Sequence, residues 1–506
     1  MANAEHVRLV LTPDWSSWRA ENSRIIPDLV DADLRGCNLA GADLSRAVLT
    51  RADLQGADLT GASLAYAQLD AAQLGRAVLD GADCTGVRFD LLEVRECSMK
   101  GTVFTGATFR GADFAGSDLA GARLAQVNLE GALLDGVNMA GADLSGATLR
   151  GARLDRANLA GATLVGANLE GVTLAGNDLS GADLSEVEGT RAQFPGANLS
   201  GARFVKAKLR EANFLRAEAP EADFDGADIS HTTFRYANLE GARIINCDAQ
   251  AGDFRDAVLL GTELNGVQMA ACQLAGLDFR SPKLGRVSLV RANLTGATFL
   301  QCNLRMFRLE QARLEGADIR EANLEGAKLD GAILTGANLR GCRIRQASLV
   351  GAVAIDADLS GCDLILADLR DADFSRADLR FSRLVGANCR HTRFRFADCR
   401  KTDFTKAIVG SANFWGARIG GATMPATALH WRIGRVITAV LTANQRKRET
   451  KEKREQERRI RDTVKLVREL EEKDPRLRRQ AQRAARTQAG GGEEHPAGPP
   501  SGRTPA

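Results

Sequence analysis

Ten cysteines and five histidines are the side chains of this chain best equipped for chemistry. Thiols can serve as nucleophiles, redox couples or metal ligands, and imidazoles as ligands or proton carriers. Their spacing argues against each role. There is no C-x-x-C pair, no H-E-x-x-H, no phosphate loop and no dinucleotide fingerprint. His6, His231, His391, His430 and His495 stand apart. Aspartates are plentiful, but they are largely a feature of a repeat, so a pair of them does not mark an acid–base couple. The cysteines obey the same repeat. Cys37, Cys97, Cys247, Cys272, Cys302, Cys342 and Cys362 have numbers ending in 2 or 7. Cys84, Cys389 and Cys399 have numbers ending in 4 or 9. All ten are read as small apolar fillers facing inward, and such free thiols suit a reducing cytoplasm. Neither a cofactor nor a metal is expected, and enzymatic activity is not expected either.

The frame that sets these positions runs from Ala32 to Met424. Numbers ending in 4 or 9 form a series of 79 positions, from Leu34 to Met424, and none is charged. Only Cys84, Gly189, Ala219, Ala249, Ala354, Cys389 and Cys399 are not large and apolar. Two residues earlier lies a register of small residues, as at Ala32, Ala42, Ala52 and Ala57. The unit reads A-[DN]-L-x-[GR]. A period of five fits neither a helix nor a flat strand. Every fifth residue stays inside only if the chain turns a corner every five residues, so short extended steps close into a solenoid. Glycine near the corner suits a backbone that needs positive φ.

This frame resembles the pentapeptide-repeat family over residues 31–425. The resemblance implies an all-β solenoid, a right-handed quadrilateral β-helix with four pentapeptides to a coil. Handedness and four-sidedness are implied by the family; the repeat alone gives a solenoid. About twenty coils at ~4.8 Å each would make a rod on the order of 95 Å long. Weak places are expected at Ser185–Thr190, Arg216–Pro220 and Cys247–Gly252, and where Asn177 and Pro282 occupy the small register.

A short N-terminal cap is expected over 1–30. In it Val7, Leu9 and Leu11 alternate like a strand, and Asp14 is placed to cap a helical turn carrying Trp15 and Trp18. This stretch resembles lead-ins to many bacterial pentapeptide repeats and would plug the open first coil. It lacks the basic start and long apolar core of a signal peptide. No run approaches the length of a transmembrane helix. Beyond the repeat, 426–444 reads as an amphipathic α-helix closing the far end, with Trp431, Ile433, Val436, Ile437, Val440 and Leu441 at helical spacing. The family resemblance makes this segment a candidate homodimer interface. Residues 445–488 read as a charged helical tail, and 489–506, rich in Gly and Pro, as disordered.

The net charge of +3 is unevenly spread. Residues 431–506 hold 20 Lys and Arg against 11 Asp and Glu, and residues 1–430 hold 47 against 53. With a coil of twenty residues, positions twenty apart stack. Arg395 then lies beneath Trp415, close enough for a cation–π contact. Outward positions nearby include Arg380, Phe381, Phe396 and Arg400. A second apolar group is Ile355, Ile365, Leu366 and Val385. Exposed apolar side chains rimmed by arginine form a candidate partner-binding site. The reading is a non-enzymatic cytoplasmic scaffold or adaptor that binds protein partners through the faces of a rigid rod. One alternative, implied by the family, is a DNA mimic acting on a type II topoisomerase such as gyrase. Its fit is poor, because the acidic charge is sparse against duplex DNA. Another is an effector or membrane-surface protein using the basic tail. Nucleic acid is not expected as a partner.

Overall fold

The computed structural model describes residues 3–425. The expected segments 426–444, 445–488 and 489–506, with Trp431, Ile433, Val436, Ile437, Val440 and Leu441, lie outside the described residues.

The chain opens with two helices, α1 (Ala4–Val10) and α2 (Asp14–Glu21). The alternation Val7, Leu9, Leu11 therefore belongs to a helix and its end and not to a strand. The Asn3 side chain decides it, accepting from the amides of Glu5 at 3.0 Å and His6 at 3.4 Å. Those donors open a helix, and His6 and Val10, four apart, share its buried face. Asp14 is the first residue inside α2 and not its cap; that place falls to Pro13. Asp14 still sets negative charge at the positive end of the helix. Trp15 is buried and donates from its indole nitrogen to the Asp43 carbonyl at 3.1 Å. Arg19, also buried, donates to the Asp43 carboxylate at 3.2 Å and the Ile25 carbonyl at 2.9 Å. The lead-in is thus fastened to the beginning of the repeat by three side chains, the third being His6, whose Nδ1 accepts from the Asp28 amide at 3.0 Å.

From Asp28 to Thr423 the backbone makes parallel bridges between residues twenty apart, among them Asp33↔Asp53 and Asp403↔Thr423. Each coil therefore contains four pentapeptides. Most strands shrink to one bridged residue. Three longer pieces, β1 (Arg243–Ile245), β2 (Glu263–Asn265) and β3 (Lys283–Leu284), stack in parallel in the order β1-β2-β3.

A single unit shows why the repeat has its composition. Ala142 donates to Met139 O at 3.0 Å, closing the preceding corner. Asp143 donates to Ala122 O in the coil before, at 3.0 Å. Leu144 and Gly146 donate to Thr163 O and Val165 O in the coil after, at 2.7 and 2.8 Å. The remaining amide, that of Ser145, meets the Asp143 carboxylate at 3.0 Å. All five amides are satisfied, and the fifth needs a short side-chain acceptor two residues back. That requirement is the physical reason for Asp or Asn before the large apolar residue. Asp143→Ala should lower stability by about 1 kcal/mol through the orphaned amide, whereas Asp143→Asn should leave it unchanged. Urea midpoints of the two variants check this, and equal midpoints for Ala and Asn would remove the explanation.

The corner residue takes positive φ whatever its type: Gly146 has φ 64° and Arg51 has φ 59°. Stacking imposes the conformation, and glycine merely adopts it without cost. The frame departs from this around Pro282. Ser281 and Arg286 do not join the positive-φ corners that resume at Arg291. The other weak places keep the pattern, with Glu188↔Lys208, Glu218↔Asn238 and Asp248↔Gln268 bridged in register.

The interior is continuous and apolar, from Leu29 through Leu34 and Leu144 to Phe404. Phenylalanines twenty apart stack along it. Phe194, Phe214, Phe234 and Phe254 follow one another at 4.7, 4.8 and 4.9 Å between ring centroids. Polar residues in the small register obey a rule of their own. Thr392 donates to Leu369 O at 2.7 Å, Cys362 to Leu339 O at 2.9 Å and Asn177 to Leu154 O at 2.8 Å. In each case the acceptor lies 23 residues back in the chain. Hydroxyl, thiol and amide nitrogen thus enter the dry interior with a partner, while the buried Asn177 amide oxygen has none.

Candidate protein-interaction surface

The register of twenty places the ten surface residues singled out in the sequence on three corner columns. Ile355, Arg395 and Trp415 share one column, with Phe396 next to Arg395 in the chain. The Arg395 guanidinium carbon is 5.4 Å from the Trp415 ring centroid. Phe396 meets Trp415 edge-on at 4.6 Å. Both aromatics are about half exposed, 47% and 52%. Arg380, Phe381 and Arg400 belong to the next corner, where the Lys401 ammonium lies 5.1 Å from the Phe381 ring. Ile365, Leu366 and Val385 belong to the corner after that. Leu366 is exposed there, and Ile365 and Val385 are half-buried. The ten residues do not form one cluster. Ile355 and Ile365 are ten residues apart, half a coil, and so occupy opposite corners.

Arg380 and Arg400 are also less available than their column suggests. Each forks onto the aspartate two residues back. Arg380 reaches Asp378 at 2.9 Å through Nε and 2.6 Å through Nη2, and Arg400 reaches Asp398 at 2.8 and 2.6 Å. Arg280, Arg320 and Arg370 do the same to Asp278, Asp318 and Asp368. Hydrogen bonds from these guanidiniums are the largest cause holding the three carboxylates below their usual range, against a smaller opposing effect of burial. The sequence signal is Asp-x-Arg with the large inward residue between, which points both side chains outward from one step. Tyr236, outside the expected site, is an exposed corner residue with Arg216 and Arg235 at 5.6 and 5.1 Å from its ring.

Thiol chemistry has little access. Nine cysteines are buried, and Cys37, in the first coil, is half-exposed. Burial pushes the thiols of Cys97 and Cys302 up to about 11 and those of Cys247, Cys272 and Cys389 up to about 12. No group of three or more metal-ligating side chains occurs among the described residues. No helix among them is long and apolar enough to cross a membrane.

Among solved structures, the chain is similar to HetL from the cyanobacterium Nostoc, a pentapeptide repeat protein involved in heterocyst differentiation regulation. Identity is 26% over 44% of this chain and 91% of that one, with a TM-score of 0.25. It is similar to a pentapeptide repeat protein of the Arabidopsis thaliana thylakoid lumen, at 28% identity over 27% of this chain and 71% of that one, TM-score 0.13. QnrB1, a plasmid-mediated fluoroquinolone resistance protein, matches at 22% identity over 41% of this chain and 91% of that one, TM-score 0.16. No curated protein sequence matches. The family model described as Pentapeptide repeats (8 copies) matches residues 28–65, 94–124, 112–151, 152–188, 197–235, 222–261, 272–306, 307–336, 332–371 and 372–409. With matches distributed along the five-residue frame and its bridged coils, the chain belongs to the pentapeptide-repeat family.

Proposed function

We propose that this protein is a non-enzymatic scaffold or adaptor whose repeat region presents protein partners with rigid corners and faces. The observation that carries the reading is the exposed pair Phe396 and Trp415, held edge to face at one corner beside Arg395. Rigid aromatic anchors packed together beside arginine are what protein interfaces favour. The finer architecture belongs to the same proposal: a right-handed coil of square section with an N-terminal cap over 1–30. Buried, unpaired cysteines support a cytoplasmic setting. A DNA mimic draws no support from the charge map, since residues 201–430 sum to about +4 on a direct count of charged side chains.

The test is affinity capture from the native cell extract with the full-length protein and its Phe396→Ala/Trp415→Ala variant. The variant should lose its specific partners while keeping the circular dichroism of the parent. A partner profile identical to that of the parent would remove this corner as the docking site.

A further inference from the structure

The last coils carry charge differently from those beneath them. Residues 381–425 hold eight Lys and Arg against two Asp, whereas 351–380 hold three Arg against seven Asp. Elsewhere the fold neutralises a run of cations from its own neighbours. Arg203 and Lys208 reach Asp183 and Glu188 of the preceding coil at 3.1 and 2.6 Å, and Arg210 reaches Glu211 at 3.4 Å. In the stretch from Arg390 to Phe396 that compensation reaches one arginine of three. Arg393 stands on an outward step, Arg390 and Arg395 at the corners that bound it, and all three are exposed. Arg393 has Asp373 at 3.4 Å. Arg390 and Arg395 have no ion pair among the described residues. One coil further along the stack, their positions are taken by Gly410, Asn413 and Trp415, none of them acidic.

We propose that Arg390, Arg393 and Arg395 form a docking row for an acidic, extended segment of a partner protein. This rests on the protein-interaction reading above and names the chemistry of the partner. Guanidinium forks match carboxylates two bonds at a time. Arg393 and Arg395 are two residues apart, about 7 Å on extended backbone. The same spacing separates alternate carboxylates on one side of an extended peptide, so the two rows mesh. Single-stranded nucleic acid would need free aromatic faces on which bases stack. The Trp415 ring is already engaged by Arg395 and by the edge-on Phe396, and the Phe381 ring by Lys401.

The experiment is a fluorescence-anisotropy titration of the full-length protein with a labelled short poly-glutamate peptide, and with an oligothymidylate of equal length. Poly-glutamate should bind saturably, more weakly as salt rises, and more tightly than oligothymidylate. Binding should weaken at least about tenfold in Arg390→Ala/Arg393→Ala/Arg395→Ala and stay unchanged in Arg203→Ala/Lys208→Ala, both checked by circular dichroism. Unchanged affinity in the triple variant, which would place binding on the basic residues 431–506, overturns the inference, and so does tighter binding of oligothymidylate. If capture fails for Phe396→Ala/Trp415→Ala while the arginine triple variant still holds poly-glutamate, the interaction reading stands and the acidic segment falls. If both experiments show no effect, both fall.

Discussion

Phe214→Ala should cost about 3–5 kcal/mol of stability, the largest loss expected from one side chain in this protein. The ring lies fully buried between Phe194 and Phe234 at 4.7 and 4.8 Å, near parallel to both. Phe204 and Phe224, each half a coil away, approach edge-on at 5.7 and 5.8 Å. Alanine would remove all four contacts and leave a void that the walls cannot fill, because the bridged coils on either side fix their separation. In a stack whose coils touch only their neighbours, the loss stays local. Hydrogen exchange should therefore quicken over about 194–234 and leave 50–120 and 330–400 unaffected. Phe214→Leu should cost less than about 1.5 kcal/mol, since leucine is the usual resident of this register. Equal losses for alanine and leucine, or uniform acceleration of exchange along the chain, would contradict a core built as independent layers.

Alkaline pH should be the second large effect. Burial raises the thiols of Cys84, Cys97, Cys247, Cys272, Cys302, Cys362, Cys389 and Cys399 above their ordinary value. In the unfolded chain these groups ionise near 8.5. Above that pH the unfolded state has released protons that the folded state retains, so rising pH favours unfolding. Full stability is present below about pH 8 and declines as the pH climbs toward about 11, by about 1.4 kcal/mol per unit for each thiol that unfolding exposes. Urea midpoints between about pH 8 and 10 should fall steeply. The slope should shrink in Cys302→Thr/Cys362→Thr, because threonine at this register makes the same bond to a carbonyl, as Thr392 and Thr402 do at 2.7 Å. A thiol reagent at neutral pH should label Cys37 alone in the folded protein. Rapid labelling of several thiols, or a midpoint indifferent to alkali, would show that these groups are not sealed inside.

The five-residue frame made the interior legible almost residue by residue, because charge is absent from one phase of the repeat and a dry core tolerates none. Four features were harder to read. The alternation in Val7–Leu11 spans too few residues to separate period two from a helical turn, and the deciding group, Asn3, lies upstream. The acceptors for Thr392, Cys362 and Asn177 depend on the length of the coil, which local pattern does not contain. Arg380 and Arg400 looked available until their aspartates, two residues away, were placed on the same side of the step. Ile355 and Ile365 looked like neighbours in the chain, whereas the closing of each coil sets them on opposite corners.

The bridge register of twenty against a unit of five has a further consequence. Inserting one pentapeptide would leave every amide satisfied, yet rotate everything beyond it by a quarter of a coil. Trp415 would then face the azimuth that Arg400 and Gly420 now share. Inserting four would restore the heading and add only height. The repeat therefore clocks distant corners in discrete steps, so lineages gaining or losing whole units can re-aim a surface without redesigning it.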